Sequence, residues 1–123
     1  MIKNERQYRI TKAQAAKFEH AIKKTVASTA AKKIHPLLQK AQVEGLRSQL
    51  ADLRAEIKEY ELLRGKKRST LELASLDDIP RVLIQSRIAA GLSQKELAAR
   101  LHLKEQQVQR YEATEYASAS LAR

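Results

Sequence analysis

Residues 92–113 read LSQKELAARLHLKEQQVQRYEA, and this stretch predicts two short amphipathic helices joined by a tight turn. Ser93 is placed to cap the first helix, because a hydroxyl there can accept from the unpaired N–H groups of the first turn. Leu97, Ala98 and Leu101 recur at spacings of three and four, so they share one helical face. In the second helix Val108 and Tyr111 supply the apolar face, which turns Lys104, Glu105, Gln106, Gln107, Gln109 and Arg110 outward. A solvated surface helix more usually mixes Glu with Lys in pairs. Glutamines and an arginine crowded on one short helix instead present amide and guanidinium forks that match adenine and guanine edges in a major groove.

These residues resemble the helix-turn-helix of the Cro/phage-repressor family, also called the XRE family. The resemblance rests on Gly91-Leu92-Ser93-Gln94, Glu96-Leu97-Ala98, Leu101, Val108 and Arg110-Tyr111-Glu112, and spans residues 79–121. Ala98 stands where the family needs a small residue for close helix crossing. One departure is His102, where the family usually has glycine because the turn approaches a left-handed conformation; histidine is among the more tolerant substitutes.

The resemblance implies a lambda-repressor-like bundle that binds double-stranded DNA. Glu105, Gln106 and Arg110 match positions that family members commonly aim at base edges, and Gln94 matches a residue that fixes the backbone and helps orient the first side chain of the reading helix. A bidentate Arg110–guanine or Gln106–adenine pair is worth about 1–3 kcal/mol of discrimination. Glu105 suits a cytosine amino group or a neighbouring contact. Lys95, Lys104 and Gln107 suit phosphates, whereas Gln109 lies further around the helix. The implied activity is that of a transcriptional repressor, a homodimer on a palindromic operator with half-sites about 34 Å apart. A small regulator with a separate helical module is also how toxin-antitoxin antitoxins are built, which makes a toxin protein a second expected partner. The alternative is a bridging module whose helix-turn-helix does not read DNA.

Upstream, the sequence predicts two further helices. Thr11 with Gln14 fits a capping box, and Ala15, Phe18, Ile22, Val26 and Ala30 form an apolar stripe ending near Ile34. His35-Pro36 breaks it, and proline suits the first position of the next helix. That helix runs to about Arg64 with Val43, Leu46, Leu50, Leu53, Ile57 and Tyr60 in a heptad-like seam, a candidate surface for oligomerisation or partner binding. The expected class is therefore all-α, a coiled-coil-like antiparallel hairpin over 1–64, a basic linker over 65–74 and the DNA-binding bundle over 75–123. Within the linker, Leu71-Glu72-Leu73 alternates like a very short strand. Ser75 with Asp78 reads as a cap, and Pro80 opens a helix carrying Val82, Leu83, Ile84, Ile88 and Ala89 that stops at Gly91. Tyr116, Leu121 and Ala122 suggest one more short helix. The resemblance implies a further helix that completes the core; the sequence stops before it, which leaves open a missing piece, a truncation or substitution by the N-terminal hairpin.

Charge is distributed unevenly. The chain of 123 residues carries 24 Lys and Arg against 14 Asp and Glu, a formal charge of +10. Residues 1–34 hold nine basic and two acidic side chains, residues 64–70 four and none, and residues 71–123 seven of each. The base-reading segment is thus neutral, so phosphate attraction has to be sought upstream of it.

Other classes find little support. Without cysteine there is no disulfide or thiolate metal site. No stretch is long and apolar enough for a membrane span or a signal peptide, so a cytoplasmic protein is expected. His20, His35 and His102 fall on separate elements without carboxylates at ligand spacing, and no nucleophile or phosphate-loop motif occurs. No catalytic residue, metal or cofactor is expected.

Overall fold

A computed structural model describes residues 1–29, 35–65, 70–117 and 119. The described chain is all-helical: α1 spans Glu5–Thr29, α2 Pro36–Arg64, α3 Ile79–Ala89, α4 Gln94–Leu101 and α5 Glu105–Ala113. A 3-10 turn at Leu76–Asp78 precedes α3. The chain divides into two compact units, Met1–Glu59 and Tyr60–Arg123.

In the first unit, α1 starts before the predicted capping box. Asn4 Oδ1 accepts from the Gln7 backbone N–H at 2.8 Å, and Gln7 Oε1 accepts from Lys3 N–H at 2.9 Å. Asn4 with Gln7 is therefore the operating pair, and Thr11 sits inside the helix with its hydroxyl donating to the Gln7 carbonyl at 2.8 Å. An earlier Asn-x-x-Gln offers the same chemistry as Thr-x-x-Gln, and starting there adds more than a turn of helix. Ala15 is buried and Phe18 and Ile22 are half-buried, but Val26 is exposed. Ala30 and Ile34 lie outside the described residues.

Helix α2 opens as expected at His35-Pro36. The His35 carbonyl accepts from Leu38 N–H at 3.0 Å, and proline occupies the position whose missing N–H is not needed. The two helices run antiparallel. Glu19, Ile22 and Lys23 of α1 face Arg47, Leu50, Ala51 and Arg54 of α2 across an open cleft of about 550 Å³. The Arg54–Glu19 ion pair at 2.7 Å and the Met1 ammonium on Glu56 at 3.1 Å join the hairpin. Of the α2 seam, Val43, Leu50 and Tyr60 are buried, while Leu46, Leu53 and Ile57 are half-buried. Leu50 lines the cleft with Ile22, so part of the seam is already used within the chain.

The second unit begins with Tyr60 and Leu63 at the end of α2, both buried. Residues 66–69, the centre of the basic linker, lie outside the described residues. Leu71-Glu72-Leu73 is not a strand, since no partner strand exists among the described residues and Leu73 is exposed. Ser75 and Asp78 do form a capping box. Ser75 Oγ accepts from Asp77 N–H and Asp78 Oδ2 from Ser75 N–H, both at 3.2 Å. Pro80 stands in the first turn of α3.

Helix α3 ends in a Schellman motif. Leu92 N–H reaches the Arg87 carbonyl at 3.1 Å and Gly91 N–H the Ile88 carbonyl at 3.0 Å, with Gly91 left-handed at φ 74°. No helix among the described residues is long and apolar enough to cross a membrane.

Candidate functional site

The site is built on α4, the turn after it, and α5. Ser93 caps α4, its Oγ accepting from Glu96 N–H at 3.1 Å. The helix ends at His102, which is left-handed at φ 57° and ψ 36°. Leu103 N–H then bonds the Ala98 carbonyl at 2.9 Å and His102 N–H the Ala99 carbonyl at 3.3 Å, repeating the closure seen after α3. Histidine thus adopts the conformation for which the family uses glycine. Ala98 is buried and Leu97 half-buried, but Leu101 is 53% exposed and does not join the expected apolar face. Leu83 of α3 is likewise exposed, and Ile84 and Ile88 fill the core in its place.

Helix α5 is seated by a buried polar network that the apolar periodicity does not reveal. Glu112 is fully buried at 0% exposure. Its Oε1 accepts from Arg87 Nε at 2.6 Å and its Oε2 from Arg87 Nη2 at 3.1 Å, a bidentate fork. Gln94 Nε2 donates to the same Oε2 at 2.6 Å, and Arg87 Nη1 donates to the Leu92 carbonyl at 2.8 Å. One carboxylate thereby ties α5 to α3 and to the first residue of α4. The sequence signal was the spacing of Glu112, four residues after Val108 and so on the same face, with Arg87 placed between Ile84 and Ile88. Val108 is buried, whereas Tyr111 is only half-buried and stacks on Tyr116 with ring centroids 6.0 Å apart.

The remaining candidates are distributed around this frame. Gln94 is buried beneath α5, where it acts on the position of the helix. Glu105, Gln106, Gln107, Gln109 and Arg110 are all exposed, as are Lys95 and Lys104. Successive α-helical residues turn by about 100°, so Gln106 and Arg110 stand together, opposite the Val108–Glu112 stripe. Glu105 falls on the flank, where its Oε1 accepts from Gln109 Nε2 at 3.3 Å. Gln107 Oε1 accepts from Lys104 N–H at 3.2 Å and so helps cap α5.

Helix α5 stops at Ala113, and the expected short helix does not continue through Tyr116. Glu115 and Tyr116 are both left-handed, at φ 51° and 60°, which breaks a right-handed helix. Tyr116 N–H instead closes on the Tyr111 carbonyl at 2.6 Å. Leu121 and Ala122 lie outside the described residues. Burial, followed by the Glu112 charge, pushes the Tyr116 phenol above its ordinary pKa, with Arg87 pulling the other way. Among the described residues no group of His, Asp and Glu could hold a metal ion.

No curated protein and no solved structure matches the chain. A family model described as helix-turn-helix matches residues 83–122. That match covers α4, the left-handed turn at His102 and α5, so the C-terminal part of this chain is a helix-turn-helix domain of the Cro/phage-repressor (XRE) type, the fold of DNA-binding regulators.

Proposed function

We propose that this chain is a sequence-specific transcriptional repressor that reads its operator through α5. The observation that carries this reading is the pairing of Gln106 and Arg110 on the exposed side of a helix whose other side is fixed by Glu112. Two residues four apart on a helix are neighbours, so both side chains can enter one groove together. Arg110 forks onto guanine O6 and N7, and Gln106 onto adenine N6 and N7. Glu105 takes a cytosine amino group when it leaves Gln109. Lys95, Lys104 and the amide of Gln107 hold the phosphates on either side. Gln94 supports α5 from beneath.

The repressor acts as a homodimer on a palindrome, with half-sites about one helical turn apart. The hairpin unit Met1–Glu59 serves assembly or toxin capture through the parts of the α2 seam left half-buried at Leu46, Leu53 and Ile57. The equal numbers of acidic and basic residues over 71–123 favour the second reading, a bridging module that does not read DNA.

The test is fluorescence anisotropy of the full chain on a duplex from upstream of its own gene, against a scrambled duplex, at moderate salt. Arg110→Ala and Gln106→Ala are each expected to weaken the specific complex by about 1–3 kcal/mol and to relax preference at one base position. Equal binding of both duplexes by the unaltered protein refutes the repressor reading and leaves the bridging module. Sedimentation of the same complex gives its stoichiometry, and one chain per operator refutes the dimer.

A further inference from the structure

Helix α1 carries a row of cations that the reading site does not use. Arg6, Arg9, Ala13, Lys17, His20 and Lys24 recur at spacings of three and four and are all exposed. The buried positions of the same helix, Tyr8, Thr11 and Ala15, occupy the opposite side. Only two acids stand on α1. Glu5 opens its first turn, and Glu19 is held by Arg54 at 2.7 Å on the side facing α2. Among the described residues no carboxylate lies within ion-pair distance of Arg6, Arg9, Lys17 or Lys24. At about 1.5 Å per residue the row extends roughly 27 Å, close to one turn of duplex.

An unpaired row of like charges repels itself and is costly to keep without a counter-charge. Its spacing and its charge suit a regular line of anions, with Ile10 exposed at the edge of the row. We propose that the outer face of α1 is a second DNA-binding surface, one that grips the phosphate backbone without reading sequence. It supplies the counter-ion release that the neutral segment 71–123 lacks. The choice of DNA over other polyanions rests on the repressor reading, because the same chain carries a helix-turn-helix domain.

The experiment compares two charge-matched double variants of the full chain. Lys17→Gln with Lys24→Gln removes two of the four Lys and Arg in the row, and Lys40→Gln with Lys58→Gln removes two exposed cations from α2. Glutamine is a good helix former at exposed positions, and circular dichroism verifies that each variant folds. Affinity is measured across salt concentrations on the promoter duplex and on a random duplex of equal length.

The row variant is expected to lower the slope of log K against log salt by about 2, at about 0.9 per phosphate contact, equally on both duplexes. The α2 variant is expected to change it by less than about half as much. Equal effects of the two variants reduce the row to general net charge and overturn the inference. So does a row variant whose DNA affinity is unchanged but which no longer binds vesicles of phosphatidylserine in phosphatidylcholine, an outcome that assigns the row to a membrane surface. The two readings fail separately. A wild type without preference for its promoter, but with a slope that falls in the row variant, refutes operator reading and keeps the row. Promoter preference with unchanged slopes does the reverse.

Discussion

Replacing Glu112 by alanine tests the claim that one buried carboxylate seats the reading helix. Arg87 has 5% of its side chain exposed and Glu112 none. The substitution therefore takes from an interior guanidinium its bidentate carboxylate partner, and from Gln94 the acceptor it reaches at 2.6 Å. Removing one partner of a buried pair costs about 3–5 kcal/mol, because the remaining charge keeps its desolvation penalty. Small domains hold about 5–15 kcal/mol in total, so a large share of the stability of the C-terminal unit is at stake. Urea unfolding followed by circular dichroism should show a lower midpoint with little change in slope. The double variant Arg87→Met with Glu112→Leu discriminates the cause. If the cost is the orphaned charge, the double variant is more stable than Glu112→Ala, because apolar replacement of a whole buried pair is often neutral or stabilising. A loss below about 1 kcal/mol for Glu112→Ala, or a double variant at least as unstable, refutes the reasoning.

The two left-handed closures give paired tests of opposite sign. His102→Gly should raise stability by about 0.5–1 kcal/mol, since glycine adopts φ 57° without Cβ strain. Gly91→Ala should lower it by about 1 kcal/mol at φ 74°; open space surrounds the added methyl, so the cost is purely of the backbone. Thermal midpoints compared under one condition check both, and shifts of the same sign would contradict the assignment. For Tyr116, a folded-state pKa raised by burial and by Glu112 means that the unfolded chain ionises first as pH rises. The associated stability is complete below the unfolded pKa of about 10 and is lost as pH climbs through the folded value. Tyr116→Phe should flatten the stability profile in that alkaline range, and an unchanged profile counts against the shift.

The sequence carries the positions of α3, α4 and α5 because capping and turn residues act locally. Ser75, Ser93, Gly91 and His102 each do in the structure what their neighbours in sequence require. What the apolar pattern hides is polar and distant. Arg87 and Glu112 are 25 residues apart, and each reads as a gap in its own apolar stripe until the fold joins them. Two caps compete at the start of α1, Asn4 with Gln7 and Thr11 with Gln14, and the signal for the earlier one is Tyr8, which lies two turns before Ala15 on the same buried side. Leu83 and Leu101 keep the correct spacing yet remain exposed, because helices of eleven and eight residues leave few core positions to fill. Outward placement of Gln106 and Arg110 follows directly from the position of Val108, so this half of the candidate site was legible. The resemblance implies that Gln94 orients the first side chain of the reading helix, whereas its buried bond to Glu112 is visible only in the structure.

The division between Glu59 and Tyr60 falls within α2, five residues before that helix ends at Arg64. This has a practical consequence for anyone cutting the protein into pieces. A fragment begun in the basic linker would look reasonable by composition, yet it would discard Tyr60 and Leu63, the latter only 1% exposed. Such a fragment would lose two buried side chains of the second unit together with the hairpin, so weak DNA binding by it would not isolate the contribution of the hairpin. The autonomous piece, if one is wanted, has to carry the last turn of the preceding helix with it.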